Sequence, residues 1–192
     1  MTKVPHDVCP WWLGYFLLNP LRRLGQDPER IVGPYVAEGM TVFEPGPGMG
    51  YFTLALARRV GARGRVVAAD VQDRMLAALR RRAVRAGVSE RIETRLVAGD
   101  DTGLAGLDGQ VDFVLAFAVV HELPDAWRFL AGSFAALKPG GRMLVAEPSG
   151  RVPATEFEET LAKALAAGLR VESRPAIRSS HAAVLVRPTG AT

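Results

Sequence analysis

The sequence contains a single cysteine, Cys9, so no disulfide can form within the chain, and this scarcity points to a reducing compartment and a cytoplasmic location. Long apolar runs are also missing. The longest, Val111 to Val120, is interrupted by Asp112 and closed by His121 and Glu122, well short of the roughly 20 apolar residues that span a bilayer. The apolar stretch from Cys9 to Leu18 contains two tryptophans and leads into Asn19-Pro20 and Arg22-Arg23, without the small-residue cleavage site of a secretory signal. No internal repeat, linker or low-complexity tract is visible. Neither sign of charge dominates: 24 Lys and Arg stand against 20 Asp and Glu. The densest basic cluster, Arg80, Arg81, Arg82 and Arg85, follows Met75, Leu76 and Leu79 at helical spacing and reads as a solvated helix face, so a nucleic-acid partner is not the expectation.

What is present is a globular composition, 48% apolar and 23% charged, over 192 residues, enough for one core and too short for two well-packed domains. Between residues 40 and 148, short β-branched runs alternate with Ala-, Leu- and Arg-rich segments, the pattern of parallel βαβ units. Strands are expected at Thr41–Glu44, Arg65–Asp70, Ile92–Val97, Val111–Phe117 and Met143–Glu147. Helices are expected at about Tyr51–Val60, Gln72–Ala86 and Asp125–Leu137, with only a short connection at Asp101–Leu107. Lys138-Pro139-Gly140-Gly141 reads as a chain-breaking turn. Beyond Pro148 the pattern gives a helix at about Ala154–Ala167 and strands at Arg170–Pro175 and His181–Arg187. The link between those strands is too short for a parallel crossover, so the pair should be antiparallel.

Chemistry concentrates in Glu44-Pro45-Gly46-Pro47-Gly48-Met49-Gly50, between the first strand and the first helix of the core. Alternate glycines let the backbone turn sharply and approach a ligand, and the following helix start offers unpaired N–H groups. The second strand ends in Asp70 and the third leads into Gly99-Asp100-Asp101, so carboxylates stand at successive strand tips, where α/β sheets bind ligands.

An acidic residue followed by x-G-x-G-x-G resembles the first motif of the class I S-adenosylmethionine-dependent methyltransferases, of the small type 11 or type 25 kind, and Leu137-Lys138-Pro139-Gly140-Gly141 resembles their segment before strand five. The resemblance covers residues 40–148 closely and the C-terminal hairpin more loosely. It implies an α/β, Rossmann-like, doubly wound seven-stranded sheet of order 3-2-1-4-5-7-6 with strand 7 antiparallel. It further implies S-adenosylmethionine as cofactor, with S-adenosylhomocysteine as product. By the same resemblance Glu44, Pro45, Gly46, Gly48 and Gly50 form the cofactor loop and Asp70 holds the ribose. Val71, Gly99, Asp100, Asp101 and Phe117 line the adenosyl site, with Asp100 accepting from the adenine amino group. Pro45 and Pro47 remove two loop donors and Met49 adds bulk, so the loop contacts differ in detail from the family pattern.

The glycine turn also admits other readings. A structural turn, an NAD-type Rossmann oxidoreductase or a non-catalytic nucleotide-binding module would each use one, although the x-G-x-G-x-G spacing fits a dinucleotide fingerprint poorly. Neither a Tyr-x-x-x-Lys pair nor a separate substrate domain is present to support a reductase. Asp70 could equally cap the helix that begins at Gln72, and Asp100 and Asp101 could simply close a turn.

For the acceptor, the residues after strand four lack the Asn-Pro-Pro-Tyr type of sequence that marks many amino-group methyltransferases, which argues for a small molecule over DNA, with RNA or protein as further alternatives. His121 is the candidate general base, with Glu122 orienting it or binding the acceptor; a polar loop before the Pro124 helix start is the competing reading. A metal held by His6, Cys9 and His121 would need a fourth ligand that the chain does not supply. Residues 1–39 read as a helical aromatic segment packed as a lid on a domain of residues 40–192. In it, Trp11, Trp12, Tyr15 and Phe16 could wall an apolar acceptor, pack on the sheet or form a homodimer contact.

Overall fold

The computed structural model describes residues 25–98 and 101–190. Seven strands form one sheet: β1 (Thr41–Pro45), β2 (Arg65–Asp70), β3 (Ile92–Leu96), β4 (Val111–Phe117), β5 (Leu137–Pro148), β6 (Arg170–Ser173) and β7 (Ser180–Val186). Their spatial order is β3-β2-β1-β4-β5-β7-β6, parallel except for β7, which runs antiparallel to both β5 and β6. This is the order the family resemblance implies. Among the described residues five α-helices cover the faces: α1 (Pro28–Val32), α2 (Thr53–Arg59), α3 (Asp73–Arg85), α4 (Ala126–Ala136) and α5 (Ala154–Ala166).

The central strands read as continuous apolar runs because both of their faces are covered. On one face Phe43, Val114, Met143 and Val145 pack with Phe129 and Leu130 of α4 and with Phe157 and Leu161 of α5. On the other, Val42, Phe113, Leu115 and Leu144 pack with Leu56 of α2 and with Leu76 and Leu79 of α3. Each such side chain is fully or nearly fully buried and stabilises the fold by about 1.5–3 kcal/mol. Among the described residues no helix is long and apolar enough to cross a membrane.

Most boundaries fall within two residues of the sequence reading, and two of the differences have a clear physical cause. The first core helix begins at Thr53 and not at Tyr51, because the glycine turn extends through Phe52. Lys138–Gly141 does not end the element: β5 starts at Leu137 and carries the turn inside it, the register passing from Val111↔Leu137 to Phe113↔Arg142. The reason is tertiary. Gly140 N–H donates to Arg187 O (2.8 Å) and Arg187 N–H to Gly141 O (2.9 Å), tying the turn to the end of β7. Arg187 also lays its guanidinium over the Phe134 ring and donates to the carbonyls of Phe134, Ala135 and Leu137, closing the C-terminus of α4.

Because β1 lies between β2 and β4, the chain reverses direction across the sheet there. The carboxyl ends of β1 and β4 therefore open a crevice, the usual ligand position in such folds.

Candidate active site

The loop after β1 folds as its sequence requires. Gly46, Gly48 and Gly50 all take positive φ (61°, 54° and 83°). Gly46 N–H bonds Ala69 O (2.8 Å) and Gly50 N–H bonds Pro47 O (2.9 Å), so the loop holds itself together without donors at Pro45 and Pro47. A Cβ on Gly46 would lie 2.8 Å from Val119 Cγ2, so the loop meets the segment after β4 too closely for any side chain. A Cβ on Gly48 would meet nothing within 4 Å and would project into open space. Met49 turns away and packs with Met75 and Ala78 of α3.

Glu44, at the base of this loop, is only 4% exposed, and its Oε2 has no hydrogen-bond partner among the described residues. Burial pushes its carboxyl up to about 8, the nearby Thr53 hydroxyl opposing the rise and the Asp70 charge adding to it. Such an idle, desolvated carboxylate is costly unless a cationic donor meets it.

At the tip of β2, Asp70 is 7% exposed. One oxygen accepts from Gly48 N–H (3.3 Å) and the other from Gln72 N–H (2.9 Å), so Asp70 pins the loop and closes an Asx turn; it does not cap α3, whose N-cap is Gln72 with no side-chain cap. Burial raises its carboxyl to about 6; the backbone donors oppose that shift, and the charge of Glu122 reinforces it. Asp70 thus lies close enough for its charge to act on Glu44 and for the charge of Glu122 to act on it. Val71, beside Asp70, is 48% exposed, an apolar side chain at the mouth. Asp101 closes an Asx turn on Gly103 N–H (2.9 Å), while its own N–H donates to Ala98 O (3.2 Å). Gly99, Asp100, Trp11, Trp12, Tyr15 and Phe16 lie outside the described residues.

On the β4 side, Phe117 is half-buried, with its ring 4.5 Å from that of Phe52, which in turn meets Tyr51 edge-on. Ala118 then takes a left-handed φ of 55°, a strained conformation for a residue with a Cβ and one common at functional sites. Its N–H donates to Ala146 O (2.7 Å), so the chain reverses at once over β5 and places a 3₁₀ turn, Val120–Glu122, at that strand's tip.

The partner of His121 there is not its neighbour Glu122 but Glu147, a residue that sequence reasoning had assigned only to a strand end. Glu147 Oε2 accepts from His121 Nδ1, and Oε1 accepts from Val120 N–H (2.8 Å). Glu122 Oε1 stands 3.8 Å from His121 Nε2, and Arg151 Nη1 stands 3.9 Å from Glu122 Oε1. His121 is raised above its ordinary value, chiefly by the Glu147 hydrogen bond. Burial opposes the rise, the Glu147 and Glu122 charges add to it, and Arg151 lowers it. Nothing in the sequence pattern singled out Glu147. An acidic strand end is common, and only the left-handed turn at Ala118 brings residue 121 over it.

A glycine turn, buried carboxylates at adjacent strand tips and an open cradle at Gly48 define a cofactor-binding α/β domain whose site lies at the β1/β4 switch. The model of the methyltransferase domain family matches residues 43–145, and the chain belongs to that family, the class I S-adenosylmethionine-dependent methyltransferases. The chain resembles the crystal structure of a SAM-dependent methyltransferase from Aquifex aeolicus, at 26% identity and a TM-score of 0.79, over 93% of this chain and 98% of that one. It also shares the fold of a SAM-dependent O-methyltransferase from Thermotoga maritima, at 22% identity and a TM-score of 0.69, over 87% of this chain and 66% of that one.

Among curated proteins, it is 35% identical over 120 residues to the ubiquinone/menaquinone biosynthesis C-methyltransferase of Idiomarina loihiensis, 62% of this chain and 47% of that protein. The corresponding protein of Enterobacter sp. strain 638 is 34% identical over 58% of this chain and 44% of its own length. The chain thus spans about half the length of the curated relatives it matches. S-adenosylmethionine is the cofactor of this family, and the site fits it, with an unpartnered buried carboxylate for a cationic group and a side-chain-free cradle beside it. The NAD reading of the glycine turn is not favoured.

Proposed function

We propose that this protein transfers a methyl group from S-adenosylmethionine to a small-molecule acceptor in the cytoplasm. The observation that carries the reading is the idle oxygen of Glu44, buried beside the open cradle of Gly48. The bound cofactor supplies a methyl carbon already activated on a sulfonium. The residues therefore have mainly to bind and orient, which alone can contribute several kcal/mol to a barrier reduction.

Glu44 would accept from the amino group, Asp70 from the ribose hydroxyls, and Val71 and Phe117 would give apolar contact to the adenosyl moiety. Asp101, with the Gly99-Asp100 segment before it, would border the adenine. The matched curated relatives are named as C-methyltransferases of ubiquinone/menaquinone biosynthesis, which supports a small-molecule acceptor.

The N-terminal segment is proposed to cover this pocket, with residues 40–192 as the methyltransferase domain. In support, Gln26 is anchored beside the carboxyl edge. Tyr51 Oη donates to Gln26 O (2.9 Å), and Gln26 Nε2 donates to Arg178 O (3.2 Å), so the chain at Gln26 is tied to the segment that follows the cofactor loop.

Calorimetric titration with S-adenosylhomocysteine and, separately, with NAD tests the reading. Saturable binding of S-adenosylhomocysteine with none of NAD is expected, and preference for NAD would end it.

A further inference from the structure

Methyl transfer from a sulfonium needs no acid, and a neutral amine brings its own lone pair, yet the acceptor side of this crevice holds a built proton acceptor. Glu147 is 1% exposed and fixed by its bond from Val120 N–H (2.8 Å). With Nδ1–H directed to that carboxylate, neutral His121 carries its lone pair on Nε2. That atom is shielded from water and has no hydrogen-bond partner among the described residues. The same segment abuts the cofactor loop, since Val119 fills the space a Gly46 side chain would need. Ala118, in the same segment, holds a strained φ of 55°.

We infer that the acceptor is a small molecule bearing a hydroxyl on an aromatic ring, and that His121, positioned by Glu147, takes the proton of that hydroxyl as the methyl is transferred. The inference rests on the methyltransferase reading above and names its substrate class. The O–H bond breaks toward His121 Nε2 and the oxygen–methyl bond forms. The methyl–sulfur bond breaks with its electron pair left on sulfur, giving imidazolium and a neutral thioether. A phenolic proton, of pKa about 10, lies within reach of a histidine, whereas an alkyl alcohol does not. Aromatic side chains of matching character gather beside the cofactor loop, in Phe117, Phe52 and Tyr51. The charged and titratable groups around His121 are Glu147 on β5, Glu122 on its own turn and Arg151 after β5, with His181 of β7 opposite Glu147 in the sheet register. Glu147 touches no reacting atom and is a positioning residue; His121 is the catalytic one.

The test uses the full chain with S-adenosylmethionine and the probes catechol, hydroquinone and 2-naphthol, with aniline and benzyl alcohol as contrasts. Release of S-adenosylhomocysteine is followed against pH, and the His121 ring is titrated by NMR in the presence of S-adenosylhomocysteine. Methylation of a phenol is expected, at a rate that rises with pH along the His121 titration. His121→Asn should lower kcat at least about a hundredfold. Glu147→Gln should lower kcat about tenfold with KM little changed and move both the His121 titration and the rate profile to lower pH. Both variants should bind S-adenosylhomocysteine as the wild type does. A wild type that binds S-adenosylhomocysteine but methylates none of the phenols would overturn the inference alone. So would a His121→Asn variant of undiminished rate, or a Glu147→Gln profile that does not move. A wild type that fails to bind S-adenosylhomocysteine would remove the methyltransferase reading beneath it.

Discussion

Two glutamates stand at strand tips on the carboxyl edge of the sheet, Glu44 on β1 and Glu147 on β5, and they are buried to nearly the same degree. Glu147 has both oxygens engaged, by His121 and by Val120 N–H. Glu44 has one oxygen with no partner and a carboxyl pushed up to about 8. Equal burial therefore has unequal consequences. A fully satisfied buried carboxylate is a fixture that orients its neighbours, whereas one with an unpartnered oxygen stores an unfavourable desolvation that a cationic ligand can relieve. On this account the β1–β2 half of the edge is built to receive the cofactor and the β4–β5 half to act on what meets it.

The sharpest way to break that division is Asp70→Ala, which removes a carboxylate from the receiving half. Charge-assisted hydrogen bonds contribute about 1.5–3 kcal/mol, so affinity for S-adenosylhomocysteine in calorimetry should fall at least about tenfold while thermal unfolding stays cooperative. Glu147→Gln, on the other half, should do the reverse. It should destabilise the fold by about 2 kcal/mol, a loss of several degrees in Tm, with cofactor affinity kept.

Gly48→Val comes next. Its Cβ meets no protein atom, so the fold should bear only about 1–2 kcal/mol of left-handed strain. The side chain would enter the cradle, however, and weaken S-adenosylhomocysteine binding about tenfold.

The smallest effect is expected from Glu44→Gln. In the wild type the Glu44 proton must leave before the carboxylate can meet an ammonium group, so affinity should rise with pH and level off above about 8; the variant should lose that rise. Burial holds the folded carboxyl above its ordinary value of 4.5, so the contribution of Glu44 to folding is full below about 4.5 and is lost as pH rises through about 8. Melting curves at pH 9 should accordingly show Glu44→Gln level with or above the wild type.

The receiving half was legible in the sequence because its chemistry is local. The three glycines, Glu44 before them and Asp70 at the next strand end are specified by backbone needs that a short string displays. The antiparallel β6–β7 pair was legible for a similar reason, a link too short to cross over. The acting half was not, because the bond between His121 and Glu147 joins residues 26 positions apart through a left-handed alanine that no propensity announces. Glu122, adjacent in sequence, was the natural partner to expect; the tertiary turn chose another. Lys138–Gly141 shows the same limit, since its glycines mark a turn correctly but cannot reveal that Arg187 holds the turn inside a strand.

The central claim is that the crevice between the tips of β1 and β4 holds the cofactor through Glu44 and Asp70. A crystal structure of the protein with S-adenosylhomocysteine tests it most directly. The ligand nitrogen should lie about 2.7–3.2 Å from Glu44 Oε2, and both ribose hydroxyls should bond the Asp70 carboxylate. An adenosyl group seated elsewhere, with both carboxylates untouched, would contradict the account.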